Sequence, residues 1–180
     1  IIVPKVGIND SEIPTTPNQL RWDPMDVPAQ PTNFLQGLHT VCTAGNLKSN
    51  TGIGVHLYAF NTAMTDDYFY NADGDMMFVP EQGGILLKTE CGLLEVNPLE
   101  IAIVPRGIKF SVEPLNKTAR GYVGENYGQP FTLPDSGPIG TNSLAQPRDF
   151  LTPTAWYEER RGNFKLICKF QGNLWSAPID

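Results

Sequence analysis

The expected fold class is decided by residues 85–96, which run ILLKTECGLLEV. Two short apolar runs flank Cys91-Gly92, a pair that suits a tight turn because glycine adopts positive φ without steric cost. The spacing predicts a β-hairpin with strands over 85–90 and 93–96, and the turn fixes its register.

Similar short runs continue on both sides of this hairpin. Turn residues such as Asp73-Gly74, Asn97-Pro98 and Arg106-Gly107 separate them at intervals of about 8 to 12 residues, which is typical of a β-sandwich or barrel. The predicted strands cover 54–60, 75–80, 85–90, 93–96, 100–104, 109–113 and 120–126. We therefore expect an all-β domain.

The regions on either side of these strands differ in composition and in hydrophobic periodicity. Residues 1–52 are rich in proline and lack a sustained period, so they predict an extended arm that packs through Leu20, Trp22, Met25, Phe34 and Leu38. Residues 53–127 form the expected barrel core. Residues 128–180 predict a long, ordered Pro/Gly-rich segment followed by one more strand, in which Phe164, Leu166, Cys168 and Phe170 alternate. The expected apolar anchors of the segment are Phe131, Leu133, Ile139, Leu144, Phe150 and Leu151. We expect one domain overall.

Composition excludes several classes of protein. Charged residues make up only 18% of the chain and the net charge is -6, without any run of Lys or Arg, so a nucleic-acid partner is not expected. The longest apolar runs span a few residues, far fewer than the roughly 20 that a membrane-spanning helix needs. The widely spaced Cys42, Cys91 and Cys168 predict neither a disulfide framework nor a zinc knuckle, which favours a reducing, cytoplasmic setting.

Few residues could carry catalysis. His39 and His56 are the only histidines, so a three-histidine metal site is impossible within one chain, and packed or surface roles are expected for both. No nucleophile motif occurs. The acidic pairs Asp66-Asp67 and Glu158-Glu159 predict solvated faces rather than an acid/base couple, because adjacent residues of a strand point apart.

The stretch 69–112 resembles a cupin barrel. Pro105-Arg106-Gly107 matches the start of the second cupin motif, but Phe110 stands where that motif has a histidine. The first motif falls on Phe69, Asn71 and Asp75, again without histidine. The resemblance implies a degenerate, metal-free barrel whose pocket is filled by Phe69 and Phe110; the alternative is a generic hairpin that ends in a Pro-x-Gly turn.

A longer resemblance covers most of the chain. The segments PNQLRW (17–22), GLHT (37–40), FYNADGD (69–75), GPIGTNSLAQPRDFL (137–151) and AWYE (155–158) are similar to the N-terminal part of the homogentisate 1,2-dioxygenase family. Further similarity lies at 100–112, 120–122 and 170–174. The chain departs from the family pattern over 1–14 and 159–163, where it looks shorter; residues left out of the sequence would explain both differences.

The resemblance implies a cytoplasmic, non-haem Fe(II) oxidoreductase of tyrosine and phenylalanine catabolism, which opens the ring of homogentisate with O₂ to give maleylacetoacetate. Two histidines and a glutamate hold the family's iron in a C-terminal part that this sequence does not contain. We therefore expect no catalytic, cofactor-binding or metal-ligating residue here.

The resemblance further implies a hexamer built as a pair of trimers, with this chain supporting its own C-terminal catalytic part. Arg148 and Asp149 are the candidates for subunit contact or for shaping a neighbouring active site; alternatively they pin their loop by hydrogen bonds. A rival reading of the whole chain is an independent, metal-free, cupin-like module that binds a small molecule or serves as a scaffold. A different ring-cleaving dioxygenase is a third alternative.

Overall fold

The structure, a computed structural model, describes residues 17–19, 23–135, 137–138 and 145–179, in which two β-sheets face each other and no α-helix occurs. The strands are β1 Leu38–Asn46, β2 Thr51–Phe60, β3 Asp67–Asn71, β4 Asp75–Gln82, β5 Ile85–Thr89, β6 Gly92–Val96, β7 Ala102–Val104, β8 Phe110–Pro114, β9 Ala119–Asn126, β10 Phe164–Phe170 and β11 Asn173–Ile179. Short 3₁₀ helices cover Leu47–Ser49 and Pro147–Asp149.

One sheet has five strands in the order β1-β2-β9-β4-β7, and the other has six in the order β11-β10-β3-β8-β5-β6. All pairs are antiparallel except β3 with β10, which run parallel from Asp67↔Lys165 to Asn71↔Lys169. The sheets draw strands from all three predicted ranges, 1–52, 53–127 and 128–180. The prediction of an all-β sandwich is confirmed.

The core between the sheets is aromatic. In strands, alternate residues point to opposite faces, and the inward set of β2, β4 and β8 includes Tyr58, Phe60, Phe78 and Phe110, all at most 1% exposed. Phe34, from the segment before β1, is fully buried against Tyr58, Phe60 and Phe78, with ring centroids 5.6 to 5.9 Å apart. Offset and edge-to-face contacts of this kind stabilise by about 0.5–1.5 kcal/mol beyond the burial of apolar area.

The hairpin of residues 85–96 forms as predicted. Strands β5 and β6 pair in a register that runs from Ile85↔Val96 to Thr89↔Gly92. Gly92 has φ 124°, so it takes the backbone conformation for which the turn requires glycine. The backbone of Leu93 also exchanges two hydrogen bonds of 2.8 Å with Thr154, which ties the later segment to β6.

Three of the strands, β1, β3 and β11, were missing from the sequence-based prediction. β1 lies within the predicted arm; as an edge strand it is mostly exposed, and it therefore carries no apolar alternation to detect. β3 is a five-residue strand whose parallel partner β10 lies nearly 100 positions away, so no local signal marks the pairing. Residues 164–179 form two strands rather than one, joined by the Gln171-Gly172 turn.

The alternating apolar residues of β10 lie on the outer face of the strand. Ile167 and Lys169 point inward and are buried, whereas Phe170, one of the alternating apolar residues, is 50% exposed on the outer face. Periodicity alone would place the alternating apolar residues inside and Lys169 outside, and the structure has the opposite arrangement. Its burial needs compensating charges, which come from distant strands.

Only some of the expected anchors are inside. Phe34 and Leu38 are buried and Met25 is half-buried, while Leu20 and Trp22 lie outside the described residues, as do Ile139 and Leu144 of the later segment. In that segment Leu133 and Leu151 are more than 70% exposed, so they do not anchor it to the sandwich. Phe131 is held instead through its backbone N–H, which donates to Asp75 at 2.8 Å.

Candidate functional site

Phenylalanines occupy the core where the cupin motifs would place metal ligands. Phe69 on β3 and Phe110 on β8 are each 1% exposed, with ring centroids 5.5 Å apart and planes at 87°. Phe78 packs edge-on against Phe110 from the opposite sheet, at 5.7 Å. The prediction that these rings fill the barrel interior is confirmed, and their hydrocarbon edges offer no atom to a metal.

Asp75, also at a cupin-motif position, ties loops to β4. Its two carboxylate oxygens accept hydrogen bonds of 2.8 Å, one from the backbone N–H of Arg106 and one from that of Phe131. The side chain is 6% exposed. Both oxygens therefore satisfy backbone donors, which is a structural use of a buried carboxylate.

Five polar residues form a second interior feature, which we call the buried polar cluster: His56, Asn71, Asp73, Glu125 and Lys169. None is more than 3% exposed. They come from β2, β3, the β3–β4 loop, β9 and β10, so the cluster joins the two sheets. Groups with this cost of burial persist only where each finds partners.

Glu125 is the centre of the cluster. Its Oε1 accepts from Nδ2 of Asn71 at 2.5 Å and from Nζ of Lys169 at 2.6 Å, both on the opposite sheet. Its Oε2 lies 2.9 Å from Nε2 of His56, the neighbour on β2. Burial alone would raise the pKa of Glu125, but the hydrogen bond from His56 and the charge of Lys169 outweigh it and lower that pKa below 4.5.

Lys169 is shared between two carboxylates. Nζ donates to Oδ2 of Asp73 at 2.8 Å as well as to Glu125, and it lies 5.4 Å from the ring centroid of Tyr127. Asp73 also accepts from the backbone N–H groups of Gln171 and Gly172, at 2.5 and 2.9 Å. The lysine and its partner thus hold the turn between β10 and β11 against the β3–β4 loop.

His56 has a defined hydrogen on one nitrogen. A carboxylate only accepts, so Nε2 carries the hydrogen that it directs at Glu125. Nδ1 lies 3.0 Å from the hydroxyl of Thr40 on β1. The expectation that His56 is packed within a strand is confirmed, and His39 is exposed.

The cluster does not fit an iron ion. Both oxygens of Glu125 and both nitrogens of His56 are already within hydrogen-bond distance of protein groups, and Lys169 places a positive charge where a cation would have to bind. In the described part of the chain, no three His, Cys, Asp or Glu side chains stand together in a ligating arrangement. The cluster links the sheets, and its chemistry is structural.

Arg148 and Asp149 lie on the 3₁₀ helix Pro147–Asp149, away from the cluster's hydrogen bonds. Their side chains are 80% and 65% exposed and form an ion pair of 3.7 Å with each other. The backbone N–H of Asp149 donates to Gln146 at 3.0 Å. The two charged groups therefore face solvent, and their role in subunit contact stays a prediction.

The acidic pairs bind neighbouring cations. Asp66 and Glu158 both contact the guanidinium of Arg160, which also donates to the backbone of Thr65 at 2.7 Å, and Asp67 lies 3.5 Å from Lys165. These pairs are largely exposed. Arg160 holds the segment after Thr154 against the residues that precede β3, and the pair of Asp67 and Lys165 joins β3 to β10.

A groove of about 580 Å³ lies between that segment and the six-stranded sheet. Its wall includes Tyr68, Trp156 and Leu166, and three of its lining cations pair with acids: Lys88 with Glu113, Lys109 with Glu90, and Arg160 with Glu158. The groove is therefore lined by mutually neutralised charges and aromatic rings.

Sequence reasoning missed Glu125, Lys169 and Asp73. They are separated by 44 to 99 positions from the groups they bind here, so no motif spacing unites them. One signal was available. Lys169 lies two residues after Ile167, so both side chains point to the same face of β10, and a lysine that points inward requires a buried acidic partner.

Comparison with solved structures finds proteins that are similar to part of this chain. A cupin superfamily protein from Desulfitobacterium hafniense has a TM-score of 0.45 at 13% identity, covering 61% of this chain and 93% of that one. KdgF from Halomonas sp. has a TM-score of 0.43 at 12% identity, covering 60% and 90%. The Cnp3 cupin domain of Schizosaccharomyces pombe has a TM-score of 0.42 at 18% identity, covering 53% and 69%.

Comparison with protein families gives one match over nearly the whole length. The model described as homogentisate 1,2-dioxygenase N-terminal matches residues 4–180. This range includes the segments that carry the resemblance in the sequence, together with both sheets and the buried polar cluster. The chain belongs to the homogentisate 1,2-dioxygenase N-terminal family.

Proposed function

We propose that this chain is the structural and oligomerisation part of a non-haem Fe(II) dioxygenase that opens the ring of homogentisate with O₂ to give maleylacetoacetate. The family membership supports the reaction. In this proposal the enzyme is cytoplasmic and serves tyrosine and phenylalanine catabolism. Among the described residues no helix is long and apolar enough to cross a membrane.

The filled interior of the sandwich is the observation that supports a structural role for this chain and a catalytic role for another part of the enzyme. Phe69, Phe78 and Phe110 pack edge to face where a catalytic cupin would hold its metal. The buried polar cluster, centred on Glu125, already has protein hydrogen-bond partners for both oxygens of Glu125 and both nitrogens of His56. In this proposal the iron and its ligands lie in a C-terminal catalytic part outside this sequence.

The partners in this proposal are that catalytic part and further copies of the same protein, in a hexamer arranged as a pair of trimers. The exposed Arg148 and Asp149, with the exposed Leu151 beside them, supply a surface for such contacts. No nucleic acid and no membrane is a partner, in keeping with the net charge of -6.

The test is homogentisate-dependent O₂ uptake under Fe(II), together with the intact mass of each sample. We expect none from the 180-residue chain of 19.8 kDa. A longer native protein that contains this chain should consume O₂ and form maleylacetoacetate. Turnover by the 180 residues alone would overturn the assignment of the iron site to another part, and no turnover by either would overturn the dioxygenase proposal.

The second candidate is a metal-free module that binds a small molecule. The groove of about 580 Å³ beside Trp156 favours it, since pockets of roughly 300–1,000 Å³ with aromatic walls are typical ligand sites. Titration of homogentisate into the chain, followed by Trp fluorescence of wild type and Trp156→Leu, distinguishes the two. Saturable quenching that is lost in the variant would favour the module.

A further inference from the structure

The two faces of the β10–β11 hairpin differ in composition, and the more polar face points into the sandwich. On β10 the inward residues are Lys165, Ile167 and Lys169, and the outward residues are Phe164, Leu166, Cys168 and Phe170. On β11 the inward residues are Leu174, Ser176 and Pro178, and the outward residues are Asn173, Trp175, Ala177 and Ile179. Hydrophobic periodicity predicts the opposite orientation. This difference between the faces is a property of the sequence, whatever covers the outer face.

A slip of one residue would exchange the two faces. β10 pairs in parallel with β3, and this register places Ile167 opposite Phe69 and Lys169 opposite Asn71. Because successive side chains of a strand point to opposite faces, moving β10 by one position along β3 would turn its outward residues inward. β11 would follow, since it pairs with β10 along its whole length without a register shift. The slipped hairpin would bury more apolar side chains than the observed one.

The charges of the buried polar cluster favour the observed orientation. Lys169 is 2% exposed and donates to Glu125 at 2.6 Å and to Asp73 at 2.8 Å. Asn71, which lies opposite Lys169 on β3, donates to the same oxygen of Glu125 at 2.5 Å. A slipped β10 would turn Lys169 towards solvent and leave both acids buried without their shared cation. Removing one partner of a buried ion pair is strongly unfavourable.

Asp73 fixes the hairpin a second time, at its turn. Its carboxylate accepts hydrogen bonds from the backbone N–H groups of Gln171 and Gly172, at 2.5 and 2.9 Å. A slip of one residue moves the turn by about 3.3 Å along the strand, which takes both donors out of hydrogen-bond range. The acids of the cluster therefore hold both the strand and the turn in one register.

We propose that the buried polar cluster selects the register and the inward face of the β10–β11 hairpin, against the hydrophobic pattern of the hairpin itself. Glu125 and Asp73 stabilise the orientation that buries Lys169, and without their charges the hairpin docks through its apolar face. Buried polar groups can fix a register because only one alignment satisfies them. The cluster thus determines from the interior which face the hairpin presents outward. This device is independent of the proposed dioxygenase function, and its test needs no substrate.

Thiol labelling at adjacent positions of β10 reports the orientation. Cys168 is half-buried on the outward face, whereas Ile167 is 7% exposed on the inward face. Two single-thiol parent chains serve as reporters: one keeps Cys168, and the other carries Ile167→Cys with Cys168→Ser. Both carry Cys42→Ser and Cys91→Ser, which remove the exposed thiols. With dithionitrobenzoate, Cys168 should react at least about tenfold faster than Ile167→Cys, because a buried thiol reacts only after local opening.

Glu125→Gln together with Asp73→Asn removes both charges and keeps the side-chain shapes. We expect the order of labelling to reverse, with Cys168 at least about tenfold slower and Ile167→Cys at least about tenfold faster than in the parent chains. Adding Phe170→Lys to this double variant should restore the original order. The reversed hairpin would otherwise bury an ammonium group without an acidic partner.

Asp67→Asn together with Glu90→Gln is the matched control. It also removes two carboxylate charges, but from exposed pairs, with Lys165 at 3.5 Å and with Lys109 at 3.2 Å. Exposed pairs contribute little, so both labelling rates should stay within about twofold of those of the parent chains. A reversed order in this control would overturn the proposal.

Far-UV circular dichroism shows whether each variant is folded. If the variant with both Glu125→Gln and Asp73→Asn is unfolded, Glu125→Gln alone decides, because Asp73 still holds Lys169 there and the same two shifts should appear at smaller size. An unchanged order of labelling in the folded variant would overturn the proposal. Fast labelling at both positions would also overturn it, since the hairpin would then have lost its docking without adopting the other face.

Discussion

Lys169 stabilises the sandwich by neutralising two carboxylates that the fold has removed from water. Replacing it by methionine, of similar length, leaves Glu125 and Asp73 buried without their shared cation. We expect Lys169→Met to lower the free energy of unfolding by about 3–5 kcal/mol at pH 7. Urea unfolding measures the change.

Lys165→Met is the control for that substitution. Lys165 lies on the same strand, but its side chain is 53% exposed and its partner Asp67 is 3.5 Å away. Exposed pairs contribute about 0–1 kcal/mol, so this variant should unfold almost like wild type. Equal losses in the two variants would contradict the role assigned to the buried polar cluster.

Glu125 should make stability depend on pH in the acid range. Its pKa is lowered in the folded protein, so the unfolded chain binds the proton more readily as pH falls. Its contribution to stability is complete above pH 4.5, the ordinary value, and is lost as pH falls through the folded pKa. The thermal midpoint of wild type should therefore fall more steeply below pH 4.5 than that of Glu125→Gln.

Glu90→Gln controls for carboxylates in general. Glu90 also has a lowered pKa, because the backbone N–H and ammonium of Lys109 donate to it, but it is exposed and screened by solvent. The variant should keep nearly the acid dependence of wild type. Parallel curves for wild type and Glu125→Gln would show that Glu125 does not carry this dependence.

The β5–β6 hairpin holds a long segment of the chain at its turn, and glycine is required there for two separate reasons. Gly92 has φ 124°, and a Cβ built on it would lie 2.2 Å from the carbonyl oxygen of Thr154. Gly107, in the turn between β7 and β8, has only the first of these reasons: its φ is 88°, but a Cβ built on it would have nothing within 4 Å.

Substituting both glycines separates strain from close approach. Gly107→Ala should lower the free energy of unfolding by about 1–2 kcal/mol, because only the positive φ is unfavourable for alanine there. In Gly92→Ala the new Cβ must also displace Thr154 from β6. We therefore expect the free energy of unfolding to fall by about 1–3 kcal/mol more, and the segment that follows Thr154 to be cleaved faster. Urea unfolding and limited trypsin digestion, which cuts at Arg160 and Arg161, measure both. Equal losses would mean that the Leu93–Thr154 contact is not needed.

Elements with local signals could be predicted from sequence, and elements with distant partners could not. The β5–β6 hairpin carries its own turn, whereas β3 becomes a strand through its parallel pairing with β10. The aromatic filling of the core could be predicted because Phe69 and Phe110 stand at motif positions. The buried polar cluster could not, since an inward Lys169 is tolerable only after Glu125 and Asp73 have been brought beside it.

At the scale of the whole molecule, the two sheets are joined by aromatic packing and by the buried polar cluster, and neither leaves room or ligand atoms for a metal. Any ion that binds the folded chain in preference to the unfolded one raises its stability, by about 2.7 kcal/mol at a hundredfold excess over the dissociation constant. For a chain of 180 residues this corresponds to a rise of roughly 5–10 °C in the thermal midpoint.

We expect Fe(II), added without oxygen, to leave the thermal midpoint within about 1 °C of its value in a chelator, because 1 kcal/mol is worth roughly 2–4 °C at this size. Thermal unfolding followed by circular dichroism measures it, and a double variant, Cys42→Ser with Cys91→Ser, controls for adventitious binding at the two exposed thiols. A rise of 5 °C or more, on the estimate of about 2–4 °C per kcal/mol, that persists in the double variant would place an iron site in this chain. That outcome would contradict the separation of the sandwich from the catalytic part.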